Sequence, residues 1–472
     1  MMKPSAGWSK KVLTVSLLLG LLVAPLTAAE KGPVTTKERA VAMIQEGLNH
    51  LLLEQHKKAE ELFIKAKSID PYSEQAYNFL GLIYLQQELF EKAEDMLKKA
   101  IAIEPMYPEA LRNLGKLYLR QDRFDEATTY LRRTLSFDVN QPYTWYLLGM
   151  AQYFSGKIGE SITSYENAFS MEPNLPVEAH YNLGVAYHET SRYLEAVRSY
   201  EQVLKQEPDH INALNNLGLV YSILGEKERA IDLFNQVLKI DNGNIKARIN
   251  LGNVFLSTRD LVEAEKIYRS AISLDQTDIS PRLNLGVVYY EKGDFANARS
   301  EWEKLLKENP DNVRVLSVMG SAFLEKREYD LAIEVFKRMT KLMPDNGSIA
   351  NTLGYLLADQ NQELPLAKDL IEKAIELDRP NRATYLDSLA WVEYRRGNYK
   401  QALKIQNRAL RIFGLTHEPV SSEVHLHFGK IQEKLKNYEQ ARTAYEAAIK
   451  SNTDAASVKI ASESLHLLKD KQ

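Results

Sequence analysis

Residues 211–244 read INALNNLGLVYSILGEKERAIDLFNQVLKIDNGN, and residues 245–278 read IKARINLGNVFLSTRDLVEAEKIYRSAISLDQTD. The two stretches are equal in length and place like residues at like positions. Gly218 and Gly252 each stand eighth; small Ala230 and Ala264 follow twelve residues later, and large Phe234 and Tyr268 sixteen later. Within the first stretch apolar side chains recur twice at helical spacing, as Leu214, Leu217 and Tyr221 and then as Ala230, Ile231, Phe234 and Leu238. This pattern predicts two amphipathic helices of about 12 to 15 residues. Gly225 between them fits the left-handed position that follows a helix. A glycine inside a helix costs about 1 kcal/mol relative to alanine, so its recurrence there points to a close helix contact that returns more than that.

The marker recurs at Gly47, Gly81, Gly115, Gly149, Gly184, Gly218, Gly252, Gly286, Gly320, Gly354 and Gly429, with Ala390 in the equivalent place. Eight of the eleven intervals are 34 residues, which identifies one structural unit repeated twelve times and removes the usual reading of this length as several ordinary domains. Twelve residues after the marker stand Ala59, Ala93, Ala127, Ser161, Ala196, Ala230, Ala264, Ala298, Ala332, Ala402 and Ala441, with Ala367 displaced by one. Sixteen after it stand Phe63, Leu97, Leu131, Tyr165, Tyr200, Phe234, Tyr268, Trp302, Phe336 and Tyr445. Pro71, Pro105, Pro173, Pro208, Pro310 and Pro344 close units where a missing N–H stops a helix.

The arrangement closely resembles the tetratricopeptide repeat family over about residues 40–456. The resemblance implies an all-α fold: an α-solenoid of about twelve helix-turn-helix repeats in a right-handed superhelix, with the first helix of each repeat lining a concave groove. The expected organisation is a signal peptide over 1–29, a linker over 30–39, the array over 40–454 and a C-terminal capping helix over 455–472, where Val458, Ala461, Leu465 and Leu468 share a face. Repeat 1 departs from the pattern at polar Glu46, and the connections of repeats 10 to 12 are lengthened at 361–365 and 413–423. The runs 353–359 and 385–392 resemble a segment common in bacterial envelope-associated repeat proteins, which implies a periplasmic setting.

Composition narrows the function classes. Lys and Arg number 60 against 63 Asp and Glu, interspersed along every predicted helix, so the concentrated basic face of a nucleic-acid binder is missing. Cysteine is absent, which excludes disulfides, thiolate nucleophiles and thiolate-bound metals. Lys3, Lys10 and Lys11 precede the uncharged run 12–24 and Pro25, and Thr27 and Ala29 suit the −3 and −1 sites of signal peptidase. The expectation is a periplasmic or secreted chain cleaved after Ala29 or Ala28; the alternative is an N-terminal membrane anchor. No second apolar run follows, so no transmembrane segment is expected in the mature chain.

Two sets of groove residues are candidates for binding. At −2 from the marker stand Asn113, Asn182, Asn216, Asn250 and Asn284, and an amide both donates and accepts, so such a row can pair with the backbone of an extended peptide. The glycosyltransferase members of the family that attach O-linked N-acetylglucosamine carry a similar asparagine row. The structural alternative is that each amide bonds a neighbouring helix. Repeat 4 presents Tyr143, Tyr146, Leu147, Met150, Tyr153 and Phe154, an apolar and aromatic patch suited to anchoring a partner unless repeat 5 covers it. Beside it Arg112, Lys116 and Arg120 form a basic stripe that a solvated face would also explain. The carboxylate clamp of chaperone-binding family members is partly matched by Asn253, Asn284 and Arg314, but Ile249 and Val318 stand where it needs basic side chains.

No phosphate-binding loop, nucleophile elbow or metalloprotease motif occurs, and His425 and His427 are two apart, which on a helix turns them to different faces. The expected function is therefore that of a non-enzymatic, exported interaction scaffold that binds a peptide segment or partner subunit in assembly or export of an envelope component, without cofactor or metal. The alternative is a non-catalytic accessory module in polysaccharide or glycan processing or export.

Overall fold

The structure is a computed structural model that describes residues 35–468. The expected signal peptide over 1–29 lies outside the described residues, as do residues 30–34 of the expected linker, while residues 36–39 belong to the first helix rather than to a linker. Among the described residues there are 25 α-helices and no strand. They fall into twelve consecutive pairs, from Thr36–Leu52 with His56–Ile69 to Ser422–Lys434 with Tyr438–Ser451, followed by Ala455–Leu467 alone. In each pair we call the first helix A and the second B.

The marker glycines mark the contact between A and B. A Cβ built on Gly218 would lie 2.8 Å from Cε1 of Phe234, and one on Gly81 would lie 2.6 Å from Cγ of Leu97. The side chain sixteen residues on thus occupies the space that the glycine leaves, and the alanine twelve residues on lets the backbones approach. Ala59, Ala93, Ala127, Ala196 and Ala230 have no exposed surface, nor do Phe63, Leu97, Leu131, Tyr200 and Phe234. In repeat 4 the small residue is Ser161, whose Oγ donates to the Gly149 carbonyl at 2.7 Å. The turn between A and B needs one left-handed residue, supplied by Gly225 (φ 82°) in repeat 6 and by residues such as Asp122 (φ 57°) in repeat 3.

By internal packing the chain divides into two compact units, Met1–Val254 and Phe255–Gln472. In the first unit the A helices of repeats 2 to 6 touch one another in sequence, and each B helix of repeats 1 to 5 lies against its own A helix and the next. In the second the same holds for the A helices of repeats 10 to 12. In these stretches the A helices form the inner face. The helix Ala455–Leu467 places Ala461 and the following Leu468 against Leu426, Ala441, Tyr445 and Ala448, so the last repeat does not end on an open apolar flank.

The closeness at the marker differs between repeats and gives a graded test. A Cβ on Gly286 would run into the Trp302 indole, whose Nε1 is tied to the Leu283 carbonyl at 3.1 Å and cannot swing aside. On Gly320 the nearest atoms, on Phe336 and Val335, are 3.2 Å away at the ends of movable side chains. Gly286→Ala is expected to destabilise the second unit by about 1–3 kcal/mol through overpacking. Gly320→Ala should be near neutral, because a helix-propensity gain of about 1 kcal/mol offsets a small displacement. Chemical unfolding of both variants checks this, and equal losses would contradict it.

Candidate functional site

The A helices of repeats 3 to 6, Pro108–Arg120, Pro142–Phe154, Val177–Glu189 and Ile211–Ile223, carry most of the predicted site residues. Pro108 and Pro142 start their helices at a position where the absent N–H has no partner to lose. The asparagine row has divided surroundings. Asn113 is 1% exposed and its Nδ2 donates to Oδ1 of Asn78, in the A helix of repeat 2, at 2.9 Å. Asn216 is also buried, and its Nδ2 donates to the Tyr181 hydroxyl of repeat 5 at 3.1 Å. Both amides therefore tie one repeat to the next. Asn182 and Asn250 are half-buried, and Nδ2 of Asn250 has no hydrogen-bond partner among the described residues. Asn284 is half-buried in the second unit, where its Nδ2 donates to the Tyr268 hydroxyl at 3.4 Å.

The aromatic patch of repeat 4 is layered. Leu147, Tyr146 and Met150 are buried and make its floor, while Tyr143, Tyr153 and Phe154 are half-buried and form its upper surface. Tyr146 lies between Tyr143 and Tyr165, with ring centroids 5.8 and 6.1 Å away. Phe154 stacks on Phe124 of repeat 3 at 5.3 Å and takes the edge of Tyr153 at 5.2 Å. The Tyr153 hydroxyl donates to Glu189 of repeat 5 at 2.7 Å. Burial and this carboxylate both push its ionisation well up, so it stays a neutral donor. Repeat 5 thus covers part of the patch and leaves three rings accessible.

The basic stripe beside it breaks up. Arg120 pairs with Glu88 at 2.8 Å. Lys116 is 3% exposed, its Nζ lies 5.1 Å from the centroid of the Tyr143 ring, and among the described residues it has no hydrogen-bond or ion-pair partner. Burial, and secondarily the charge of Arg112 one turn away, pushes its ammonium down to about 7. Arg112 donates through Nη1 to the neutral Oε1 of Gln141 at 3.2 Å.

A second polar cluster, which the sequence reading missed, lies in repeats 10 to 12. Asp387 is buried; its Oδ1 accepts from Nε2 of Gln406 at 2.6 Å, and its Oδ2 is 2.9 Å from Nδ1 of buried His427. The His427 ring stacks on Trp391 at 4.3 Å. Burial works against charge on His427, but the Asp387 carboxylate outweighs it and holds the imidazole above its ordinary value. Nearby the Tyr355 hydroxyl donates to Oε1 of Glu423 at 2.5 Å, beside a cavity of about 490 Å³ lined also by Thr352, Thr384 and Ser388. Among the described residues no hydroxyl is bonded to the second nitrogen of His427, so the pair lacks the nucleophile of a hydrolytic triad. His425 is half-buried, and no described group of His, Asp and Glu has metal-binding geometry. The signal for this cluster was Gln406, sixteen residues after Ala390, where the other eleven repeats carry a large apolar or aromatic side chain.

Tetratricopeptide repeat profiles match residues 84–151, 146–197, 177–243, 223–285, 283–346, 382–414 and 422–454. No curated protein matches the chain. Among solved structures it is similar to YrrB, described as a TPR protein with an unusual peptide-binding site (19% identity, 39% of this chain and 95% of that one, TM-score 0.37). It is also similar to PilF of Pseudomonas aeruginosa (20% identity, 45% and 96%, TM-score 0.41) and to yeast Tom70 (15% identity, 91% and 95%, TM-score 0.39).

Proposed function

The chain belongs to the tetratricopeptide repeat family, a fold of protein-interaction scaffolds, and we propose that it holds an extended peptide segment of a partner on the inner face of repeats 3 to 6. The observation that carries this reading is the layered patch of repeat 4. Tyr143, Tyr153 and Phe154 present aromatic surface above a packed floor, next to the half-buried amide of Asn182. Aromatic rings held by their neighbours lose little freedom on binding and suit anchoring contacts. The uncharged run at 12–24 behind three lysines supports export, and with it a role in assembling or exporting an envelope component. No helix among the described residues is long and apolar enough to cross a membrane.

A photo-crosslinking amino acid at position 153, compared with one at the exposed Thr129 of a B helix, tests the reading in cells. The expected result is a discrete adduct from position 153 only, in the envelope or periplasmic fraction, resistant to glycosidase and removed by protease. Equal adducts from both positions, or a glycan adduct, would overturn it.

A further inference from the structure

The positions immediately after the markers form one row along the inner face of the first unit: Leu82, Lys116, Met150, Val185 and Leu219. Lys116 is the single charge in that row, and it is nearly closed over. We infer that Arg112 and Lys116 are a carboxylate seat, which takes an aspartate or glutamate side chain of an extended partner segment while an adjacent apolar residue of that segment lies on the half-buried ring of Tyr143. This rests on the peptide-binding reading above and gives the partner its chemistry.

Three observations point to an anion rather than to a structural cation. Four basic residues of repeats 3 and 4 have carboxylates: Arg120 has Glu88, Arg123 has Glu94, Lys157 has Asp125 and Arg132 has Glu160. Lys116 has only the face of a tyrosine, and Arg112 donates to a neutral amide oxygen and feels the Glu109 carboxylate without a direct ion pair to it. Such a buried, unpaired ammonium destabilises the folded chain, whereas an incoming carboxylate would meet two cations one helical turn apart in a partly desolvated place, where charge-assisted hydrogen bonds are stronger than in open water. The depressed ionisation of Lys116 has the same cause, and an anion in the seat would reverse it. The source is a side chain rather than a chain end, because the row continues past Lys116 to Leu82 on one side and to Met150 on the other, so a peptide can cross the seat. The seat is also unlike the family's carboxylate clamp, since Leu147 and Glu178 stand where the next two repeats would have to supply amide and basic side chains.

The test uses the purified full chain and an array of random decapeptides, each synthesised acetylated and amidated and again with a free C-terminal carboxylate. The expected result is selection of blocked peptides with Asp or Glu beside a large apolar residue, with about tenfold weaker binding when that acid is replaced by its amide. Lys116→Met should bind the acid and amide forms within about twofold of each other, and Lys116→Arg should restore the preference. Circular dichroism verifies that both variants are folded. Selected peptides that bind equally as acid and amide, a preference that survives Lys116→Met, or a requirement for the free C-terminus would each overturn the seat while leaving peptide binding intact. Binding of no peptide would overturn the seat and the peptide-binding reading together.

Discussion

Lys116→Met is expected to stabilise the first unit by about 1–4 kcal/mol at neutral pH, the range seen when buried charges give way to apolar side chains of similar volume. Met is close in length to the buried lysine stem and needs no counter-charge. The effect has a defined pH course. In the unfolded chain Lys116 titrates near the ordinary lysine value, whereas in the folded chain it titrates at about 7. Below pH 7 both states hold the proton and the folded one carries the full burden of a buried ammonium. Above pH 7 the folded state sheds the proton that the unfolded state keeps, so the wild-type unit gains stability until the unfolded lysine also titrates. The advantage of Met should therefore be largest at and below pH 7 and shrink steadily towards pH 10. Peptide-resolved hydrogen exchange over 108–137 at pH 6 and pH 9 reads the first unit separately. A variant no more stable than wild type at pH 6, or an advantage that does not shrink, would show that Lys116 is solvated.

The same residue shows where sequence reading stops. The period of 34 residues, the marker glycine and the small and large residues that follow it specify local contacts inside one hairpin, and all of these are visible in the order of residues. Whether a side chain of the A helix is open or closed depends on the next repeat. Arg112, Lys116 and Arg120 look alike as a stripe at four-residue spacing, yet Tyr143 covers Lys116 while Arg120 reaches back to Glu88. The asparagine row divides for a similar reason. Asn113 follows a repeat whose large residue is Leu97, which has no hydroxyl, and its amide turns to Asn78; Asn216 finds Tyr181 instead. Periodicity places these amides on one face but does not say which of them remain available. Asp387, Gln406 and His427 sit on three helices of two repeats and are 40 residues apart at their widest, so no local pattern joins them.

That cluster carries the largest effect we expect from a single substitution. Asp387→Ala should destabilise the second unit by about 3–5 kcal/mol, because it leaves a buried amide and a buried imidazole without the acceptor they share. Asp387→Asn should cost less, since the amide keeps the size and one acceptor oxygen but loses the charge. The charge also sets a pH dependence. His427 holds its proton in the folded chain to a higher pH than in the unfolded chain. Its contribution is complete below the ordinary histidine value of about 6.5 and is lost as pH rises through the higher folded value. The wild-type unit should therefore weaken on going from mildly acidic to mildly alkaline solution, and Asp387→Asn should flatten that trend. The stacked Trp391 offers a local readout at 4.3 Å from the His427 ring: an imidazolium quenches an adjacent indole, so indole emission should rise as the proton leaves. If emission stays level across this range and the unfolding midpoint rises from mildly acidic to neutral solution instead of falling, His427 is neutral throughout in the folded chain, and the cluster is held by hydrogen bonds to Asp387 without an ion pair.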